Sequence, residues 1–436
     1  MRRREFLAGL AAFGAVPELP EFGGIARRHP PQVNGDRLNR HLAELSAFGK
    51  SPGGTNRVAY SEADLVGRKY AAELMRAAGL DPRIDAIGNI VGRREGREPS
   101  LPSILIGSHI DSVTNGGNYD GDVGSMGAIE IAQTLAESMV MLRHSLEVVI
   151  FQNEEGGTVG SKLMVQPPTD SDLDRVMRSG ISVRDGIGRI GGSLAGLAAA
   201  RRKAGDFLCY LELHIEQGGI LDRTGVNIGI VEGIVGLRWF EVTFTGFANH
   251  AGTTPMNQRK DAMLAAAKFT VAVNQAVRSV PGRQVATVGR LTVSPGTVNI
   301  VPGEVTLTVD LRDLKAETLV RFTKRFEALG KQIAAETGTT FAMRATSTNE
   351  PAPTDPRLRR RIAQSAESLG LTTLLMPSGA GHDAQEIARI APIGMIFVPS
   401  VGGVSHSPNE LTRPGDITNG ANVLLQTVLM LDRSGL

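Results

Sequence analysis

Three histidines of this chain stand where a metal ligand would be useful. His109 lies in the string Gly107-Ser108-His109-Ile110-Asp111, His214 follows the apolar run Tyr210–Leu213, and His406 lies in the Gly/Ser turn Gly403-Val404-Ser405-His406-Ser407. Carboxylates accompany them: Asp120 in the turn-forming string Asn118-Tyr119-Asp120-Gly121-Asp122, and the adjacent Glu154 and Glu155 after another apolar run. Zinc takes imidazole and carboxylate at about 2.0–2.2 Å and, in a catalytic site, keeps one position for water. Two metals about 3.5–4 Å apart can share a carboxylate and a hydroxide. Two His on one metal, a His and a carboxylate on the other, and a bridging Asp would suffice. Of two neighbouring glutamates, one can bind metal while the other stays free as general base. Asp111, two residues after His109, is placed to fix that imidazole's tautomer. A histidine at a strand end is more often structural, and paired glutamates more often a solvated turn, so spacing alone leaves both readings open. No H-E-x-x-H string occurs.

Composition narrows the chemistry. Cys209 is the single cysteine, which removes a disulfide framework and any multi-thiolate zinc or iron–sulfur site. A metal must therefore be held by His and carboxylate. Lys and Arg number 47 against 45 Asp and Glu, a formal +2 that gives no general attraction to nucleic acid. At 436 residues, 41% hydrophobic and 21% charged, the chain reads as globular, with two domains or one large domain carrying an insertion. High glycine (52) and low aromatic content (4%) suit an α/β enzyme better than a stacking surface for single strands.

The elements that must position these residues alternate. Helices are predicted at Ser61–Ala78 and from about Ser125 to Met141, and strands at Ile87–Val91, Ser103–Gly107, Leu146–Gln152 and Tyr210–Leu213. Such alternation implies a mostly parallel sheet with helices on both faces, whose ligands bind beyond the carboxyl ends of the strands. His109, Glu154, Glu155 and His214 all fall at such ends. Ser161 to Gly205 reads as irregular, with a helix around Leu194–Ala204. From Leu221 the texture changes to α+β: strands at Phe240–Phe244, Ala286–Val293 and Val305–Asp310, and helices at Asp261–Val277 and Glu317–Thr337, one sheet covered by two helices. Helix Pro356–Leu369, strand Ile393–Val398 and helix Asp416–Leu431 return to α/β. The expected bounds are 1–30 for a leader and linker, 31–220 and 341–436 for a split catalytic domain, and 221–340 for an inserted lid and dimerisation domain.

The leader begins Met1-Arg2-Arg3-Arg4-Glu5 and continues with an apolar run from Phe6 to Val16. That run is too short to span a bilayer core of ~30 Å, and a basic start before it has the form of a secretory signal. Arg3-Arg4-Glu5-Phe6-Leu7 resembles the twin-arginine type, implying export to the periplasm; an ordinary basic terminus on a cytoplasmic protein is the alternative. Arg2, Arg3, Arg4 and Glu5 together carry the whole formal +2. No stable membrane association is expected of the body.

The longer strings are more specific. Gly107-Ser-His-Ile-Asp-Ser-Val with Asn115-Gly-Gly-Asn-Tyr-Asp-Gly, and Asn153-Glu-Glu-Gly, resemble the metal motifs of dinuclear zinc amidohydrolases and aminoacylase-like peptidases. Leu213-His-Ile-Glu-Gln-Gly, Asn249-His-Ala-Gly-Thr-Thr-Pro-Met, Gly379-Ala-Gly-His-Asp-Ala-Gln and Gly403-Val-Ser-His-Ser-Pro are similar to those of the amidase, hydantoinase and carbamoylase family, from about Asn39 to Leu431. That family includes N-carbamoyl-L-amino-acid hydrolases, allantoate amidohydrolases and ureidopropionases. The resemblance implies two divalent ions, zinc first and manganese, cobalt or nickel as alternatives. It places His109 and His214 on one, Glu155 and His406 on the other, with Asp120 bridging. It makes Glu154 the general base, with Asp111 orienting His109. Gln217, Asn299, Arg312 and His382 match substrate-side positions, and His250 a lid histidine that reaches the partner subunit's active site and would hold an oxyanion. A homodimer and a small ureido or amide substrate follow, most directly an N-carbamoyl-L-amino acid, with allantoate or an N-acyl amino acid or peptide as alternatives. A metal-loaded binding protein without catalysis is the distant one. One departure stands out: the family commonly has Ser or Ala, Arg and Phe where this chain has Gly157-Thr158-Val159, a wall of the substrate pocket. His29, His41 and His144 match nothing.

Overall fold

The computed structural model describes residues 30–436. The export reading on Arg3-Arg4 and the incidental His29 lie outside the described residues. Among those described, no helix is long and apolar enough to cross a membrane.

The larger sheet has nine strands. Its order is Ala352–Pro353, Ile228–Ile234, Ile393–Val398, Phe207–Ile215, Ser103–His109, Leu146–Phe151, Ile90–Arg94 and Asp81–Ile84, with Thr373–Ser378 also pairing with Ile228–Ile234. The central four, Ile393–Val398 through Leu146–Phe151, are all parallel; the flanking pairs are antiparallel except Thr373–Ser378, which runs parallel to Ile228–Ile234. A parallel strand is covered on both faces, which is why these segments are nearly unbroken apolar runs. Alternate residues feed different cores. Ile104, Ile106, Val148, Ile150, Leu211 and Leu213 pack under the helices Gly35–Leu45, Asp120–Glu137 and Pro414–Ser434. Leu105, Val149, Phe151 and Tyr210 pack under Val159–Val165, Val183–Arg189 and Asp383–Ile387. Helices thus cover both faces, as the alternation implied.

The smaller sheet is antiparallel, in the order Val285–Ser294, Glu304–Asp313, Gly236–Thr245, Thr340–Asn349. Val305, Leu307, Val309 and Leu311 point into a core shared with helices Ala262–Arg278 and Ala316–Thr337. One sheet covered by two helices was the expected form, but its limits differ. Ile228–Ile234 belongs to the large sheet and Thr340–Asn349 to the small one, so the change of sheet falls near Val235 and Glu350 rather than at 221 and 340. The glycines in Ile-Gly-Ile-Val-Glu-Gly-Ile hid that strand, and the polar second half of Thr340–Asn349 hid the other.

Further differences have local causes. The helix expected from Ser125 begins at Asp120. Its glycines read as turn formers, yet each serves a close approach: a Cβ on Gly121 would lie 2.2 Å from His109 Cδ2, and one on Gly124 2.1 Å from the Leu213 carbonyl oxygen. The strand expected at Ile87–Val91 is Ile90–Arg94, because the Asp85 carboxylate accepts the N–H groups of Ile87 and Asn89 and holds a turn there (both 2.9 Å). The helix expected over Leu194–Ala204 is a 3₁₀ turn, Leu194–Gly196, followed by Leu197–Ala200. Gly35–Leu45, capped by Asn34 and burying Leu38, Leu42 and Leu45, went unread despite its i, i+4, i+7 leucines.

Arg57 ties the front of the large sheet together. It is 1% exposed, donates to the carbonyls of Ile110 (2.6 Å), Leu45 (2.8 Å) and Phe48 (3.1 Å), and pairs with Asp122 in the first turn of the helix that carries Asp120. Removing one member of a buried pair leaves the other charge uncompensated, at a cost of about 3–5 kcal/mol. Arg57→Met is expected to lower unfolding stability by that amount in a urea titration; a loss below about 1 kcal/mol would show that Asp122 finds another partner.

Candidate metal centre

Three adjacent parallel strands deliver the first candidate ligands. His109 is the last residue of Ser103–His109, His214 the last but one of Phe207–Ile215, and Glu154 and Glu155 follow Leu146–Phe151. In register, His109 lies beside Phe151, and His214 beside Phe397 of a fourth strand. Asp120 opens its helix across from them, and His406 comes from the loop before Pro414–Ser434.

The imidazoles are set by backbone carbonyls. His109 Nδ1 lies 3.0 Å from the Asp111 carbonyl oxygen and His214 Nδ1 lies 2.9 Å from that of Ile215. A carbonyl can only accept, so both rings carry their proton on Nδ1 and turn an Nε2 lone pair into the centre. His109 Nε2 is 3.7 Å from Glu154 Oε2, and His214 Nε2 is 3.5 Å from Asp120 Oδ1. On the other side His406 Nε2 is 3.1 Å from Asp120 Oδ2 and 3.5 Å from Glu155 Oε1. Ligand atoms of Asp120, Glu155 and His406 all lie within 4.8 Å of one another. Asp120 therefore faces His214 with one oxygen and His406 with the other, the arrangement a bridging carboxylate needs.

The donor set fits divalent cations. Among the described residues, buried Glu155 Oε1 accepts no hydrogen bond, a costly state for a carboxylate without a cation. Burial, then the charge of Asp383 and those of Glu155, Asp111 and Asp120, holds Glu154 well above the ordinary carboxylate range; burial and Asp120 do the same to Glu155. Burial also raises Asp120, but its hydrogen bond to His406 and the charges of His214 and His109 more than offset this and keep it ionised. Burial pushes His109 down to about 4, so it is neutral near pH 7, as a metal ligand must be. Cations among these carboxylates would reverse their upward shifts.

Asp111 makes a different contact from the one expected. Its carboxylate lies 3.7 Å from His109 Nδ1, beyond hydrogen-bond reach, and its backbone carbonyl fixes the tautomer instead. The carboxylate accepts the N–H of Glu154 at one oxygen (3.0 Å) and that of Glu155 at the other (3.1 Å). It thereby sets the backbone from which both glutamates project.

Of the residues expected on the substrate side, Gln217 is nearest. Its backbone adopts φ 57°, and its Nε2 donates to Asp120 Oδ1 (2.7 Å). His382 is 2% exposed, its ring 4.5 Å from that of His214 centroid to centroid, with Nε2 2.7 Å from Ser378 Oγ; burial holds it well below the usual imidazole range. Arg312 grips Asp310 through Nε and Nη2 and donates from Nη1 to the Gly379 carbonyl (2.7 Å), linking the small sheet to the loop that carries His382. His250 and Asn299 are exposed together at a short antiparallel pairing of Asn249–His250 with Ile300–Val301, the Ala251 N–H donating to the Asn299 carbonyl (2.9 Å). Among the described residues, no hydrogen bond or ion pair joins either to the candidate metal ligands. His250 Nδ1 accepts the N–H groups of Gly252 (3.0 Å) and Thr253 (3.2 Å), so its neutral ring presents Nε2–H outward.

Three buried acids behind the centre escaped the sequence reading. Glu212, Asp383 and Glu410 are 0%, 0% and 4% exposed. Glu212 joins His214 and His382 in a second ligand-like group, but its oxygens are taken by the Ser108 hydroxyl (2.8 Å) and the Ala384 N–H (3.1 Å), which makes it a support for the loop and not an open site. A glutamate two residues before His214, inside an apolar strand, was the available signal.

The sequence pattern of peptidase family M20/M25/M40 matches residues 105–430. The chain belongs to this family. Its members are metal-dependent, in keeping with the ligand groups described above. The chain is 39% identical over 405 residues to the N-carbamoyl-L-amino acid amidohydrolase of Geobacillus stearothermophilus, covering 92% of this chain and 99% of that one. It is 36% identical over 394 residues to the allantoate amidohydrolase of Escherichia coli K12, covering 89% and 95%. Among solved structures, an amidase of the hydantoinase/carbamoylase family from Burkholderia multivorans superposes with a TM-score of 0.85 at 34% identity, over 93% of this chain and 99% of that one.

Two outcomes follow. Asp111→Asn keeps one acceptor but turns an amide N–H₂ toward a backbone N–H; steady-state kinetics should show kcat reduced about 10–100-fold, and an unchanged kcat would contradict the alignment role. Cys209 is buried and its thiol pushed up to about 12 by that burial, so iodoacetamide at pH 8 should leave native activity intact; inactivation would show a reactive thiol.

Proposed function

We propose that the chain hydrolyses the linear amide C–N bond of an N-carbamoyl-L-amino acid or a related ureido acid, giving the amino acid, carbon dioxide and ammonia. The observation that carries the reading is the pair of facing groups around Asp120, His109 and His214 on one side and Glu155 and His406 on the other, beside Glu154, whose Oε2 lies 3.7 Å from His109 Nε2. The amidohydrolase relatives support it.

In this reading His109 and His214 would hold one divalent ion and Glu155 and His406 the other, with Asp120 between them. When bound, such ions polarise the carbonyl and acidify water. Zinc suits the donor set first, and manganese, cobalt or nickel are compatible with it. Glu154 takes the proton of the attacking water and returns it to the leaving nitrogen; the carbamic acid released decays to carbon dioxide and ammonia. His250 offers its outward Nε2–H to the developing oxyanion. Arg312 has one N–H on each terminal nitrogen left after binding Asp310 and Gly379, a fork for the substrate carboxylate. Gln217, Asn299 and His382 complete the substrate side.

His250 and Asn299 would act across a homodimer. The small sheet ends in an unpaired edge strand, Val285–Ser294, with exposed Val285 and Leu291, and the neighbouring helix exposes Leu264 and Val271. A second copy pairing there would cover this apolar edge. The export reading rests on the basic start, the short apolar run Phe6–Val16 and Arg3-Arg4-Glu5-Phe6-Leu7, all in the sequence. Allantoate belongs in the substrate test because Gly157-Thr158-Val159 departs from the family's pattern and a cation from another segment stands beside it: a Cβ on Gly157 would lie 3.2 Å from Arg175 Nη1.

The test is ammonia release from a panel of N-carbamoyl-L-amino acids and allantoate, with amino-acid release read for N-acyl amino acids, after loading with each metal in turn. Ammonia from at least one ureido acid is expected, and ammonia from none would contradict the proposal. Glu154→Gln should lower kcat about 10²–10⁴-fold with metal content retained, and a parental rate would remove Glu154 from the proton transfers.

A further inference from the structure

We infer that Glu410 is the positioning residue that holds the Asp120 and His406 backbones together and thereby builds the metal site between them. This rests on the reading of Asp120 and His406 as ligands. Glu410 is four residues beyond His406, and its carboxylate joins two segments nearly three hundred residues apart in sequence. Oε1 accepts the N–H of Tyr119 (2.8 Å) and of Asp120 (3.2 Å). Oε2 accepts the Ser405 hydroxyl (2.9 Å) and the N–H of His406 (3.3 Å). The carboxylate is thus spent on four donors and has no oxygen free to bind an ion itself.

Two backbone features depend on this anchor. His406 sits at φ 52°, a region that residues other than glycine rarely occupy and keep only where the surroundings impose it. The bond from its own N–H to Glu410 is such an imposition. Gly117 leaves room for the carboxylate: a Cβ there would lie 2.1 Å from Glu410 Oε1 and 2.3 Å from Cδ. Asp111 and Glu410 therefore share one device. Each buried carboxylate takes backbone N–H groups from the segments that carry the ligands, Asp111 beneath Glu154 and Glu155, and Glu410 beneath Asp120 and His406.

The experiment measures metal affinity by chelator competition with zinc, on the full chain, for the parent, Glu410→Gln, Gly117→Ala and His406→Ala. Glu410→Gln keeps one carbonyl-type acceptor but points an N–H₂ at the His406 N–H. Gly117→Ala displaces the carboxylate without changing its charge. Both are expected to weaken one of two zinc ions about 10–100-fold, with activity recovered at higher zinc. The thermal midpoint in excess chelator should stay near the parent's. Parental zinc affinity in both variants, with one ion weakened in His406→Ala, would overturn the role of Glu410 alone. Parental affinity in His406→Ala would instead overturn the ligand assignment on which it rests. A lowered midpoint without a change in zinc affinity, or activity that zinc does not recover, would show a general structural role and also overturn the proposal.

Discussion

Like charges crowded into a volume that water barely enters repel strongly, and every other feature of this centre responds to that constraint. Asp111, Glu212, Asp383 and Glu410 are buried, with Asp120, Glu154 and Glu155 largely so, around the ends of adjacent strands. The chain meets part of the cost itself. Backbone N–H groups serve Asp111 and Glu410, the Ser108 and Ser161 hydroxyls serve Glu212 and Asp383, and the Gln217 amide serves Asp120. Among the described residues, Glu155 Oε1 and Asp383 Oδ2 remain without donors. What the protein leaves undone around Asp120 and Glu155 is what divalent cations would do.

The scaffold makes that crowding possible. Parallel strands buried on both faces end side by side, and their last residues project into one space. Glycines then let neighbours close in: Gly121 against the His109 ring, Gly124 against the Leu213 carbonyl, Gly117 against Glu410. Arg57 fixes the first turn of the Asp120 helix to the chain leaving His109. The small sheet adds Arg312, which reaches the Gly379 loop, and the short pairing of Asn249–His250 with Ile300–Val301 carries His250 beside Asn299, without a hydrogen bond or ion pair, among the described residues, to the candidate ligands.

Much of this was legible beforehand, for physical reasons. A strand that must be buried on both faces is a continuous apolar run, so its end, and the His or Glu there, is easy to read. The alternating Val305, Leu307 and Val309 marked the half-buried sheet as plainly. Glycine-rich segments were opaque because a glycine reads as a turn whether it makes one or admits a neighbour; the start of the Asp120 helix and the Ile228–Ile234 strand were lost this way. The Asp111 contact was opaque for another reason. Spacing places a carboxylate near a histidine, but which of its oxygens or its carbonyl reaches the ring depends on backbone turns that spacing does not encode. Glu410 was missed because its partners at Tyr119 and Asp120 are distant in sequence and are backbone groups of any residue type.

The central claim is that cations complete a cluster whose carboxylates cannot all ionise without them. Glu154 and Glu155 lie above the ordinary range, and the hydrogen bond to Asp120 raises His406, so the metal-free centre holds protons near neutral pH that metal must displace. The most direct measurement is calorimetric zinc titration of the metal-free protein at pH 7 in buffers of different ionisation enthalpy. The account predicts two ions per chain and a heat that changes with buffer, reporting net proton release. Binding of two ions with no proton released, or no binding at all, would contradict it.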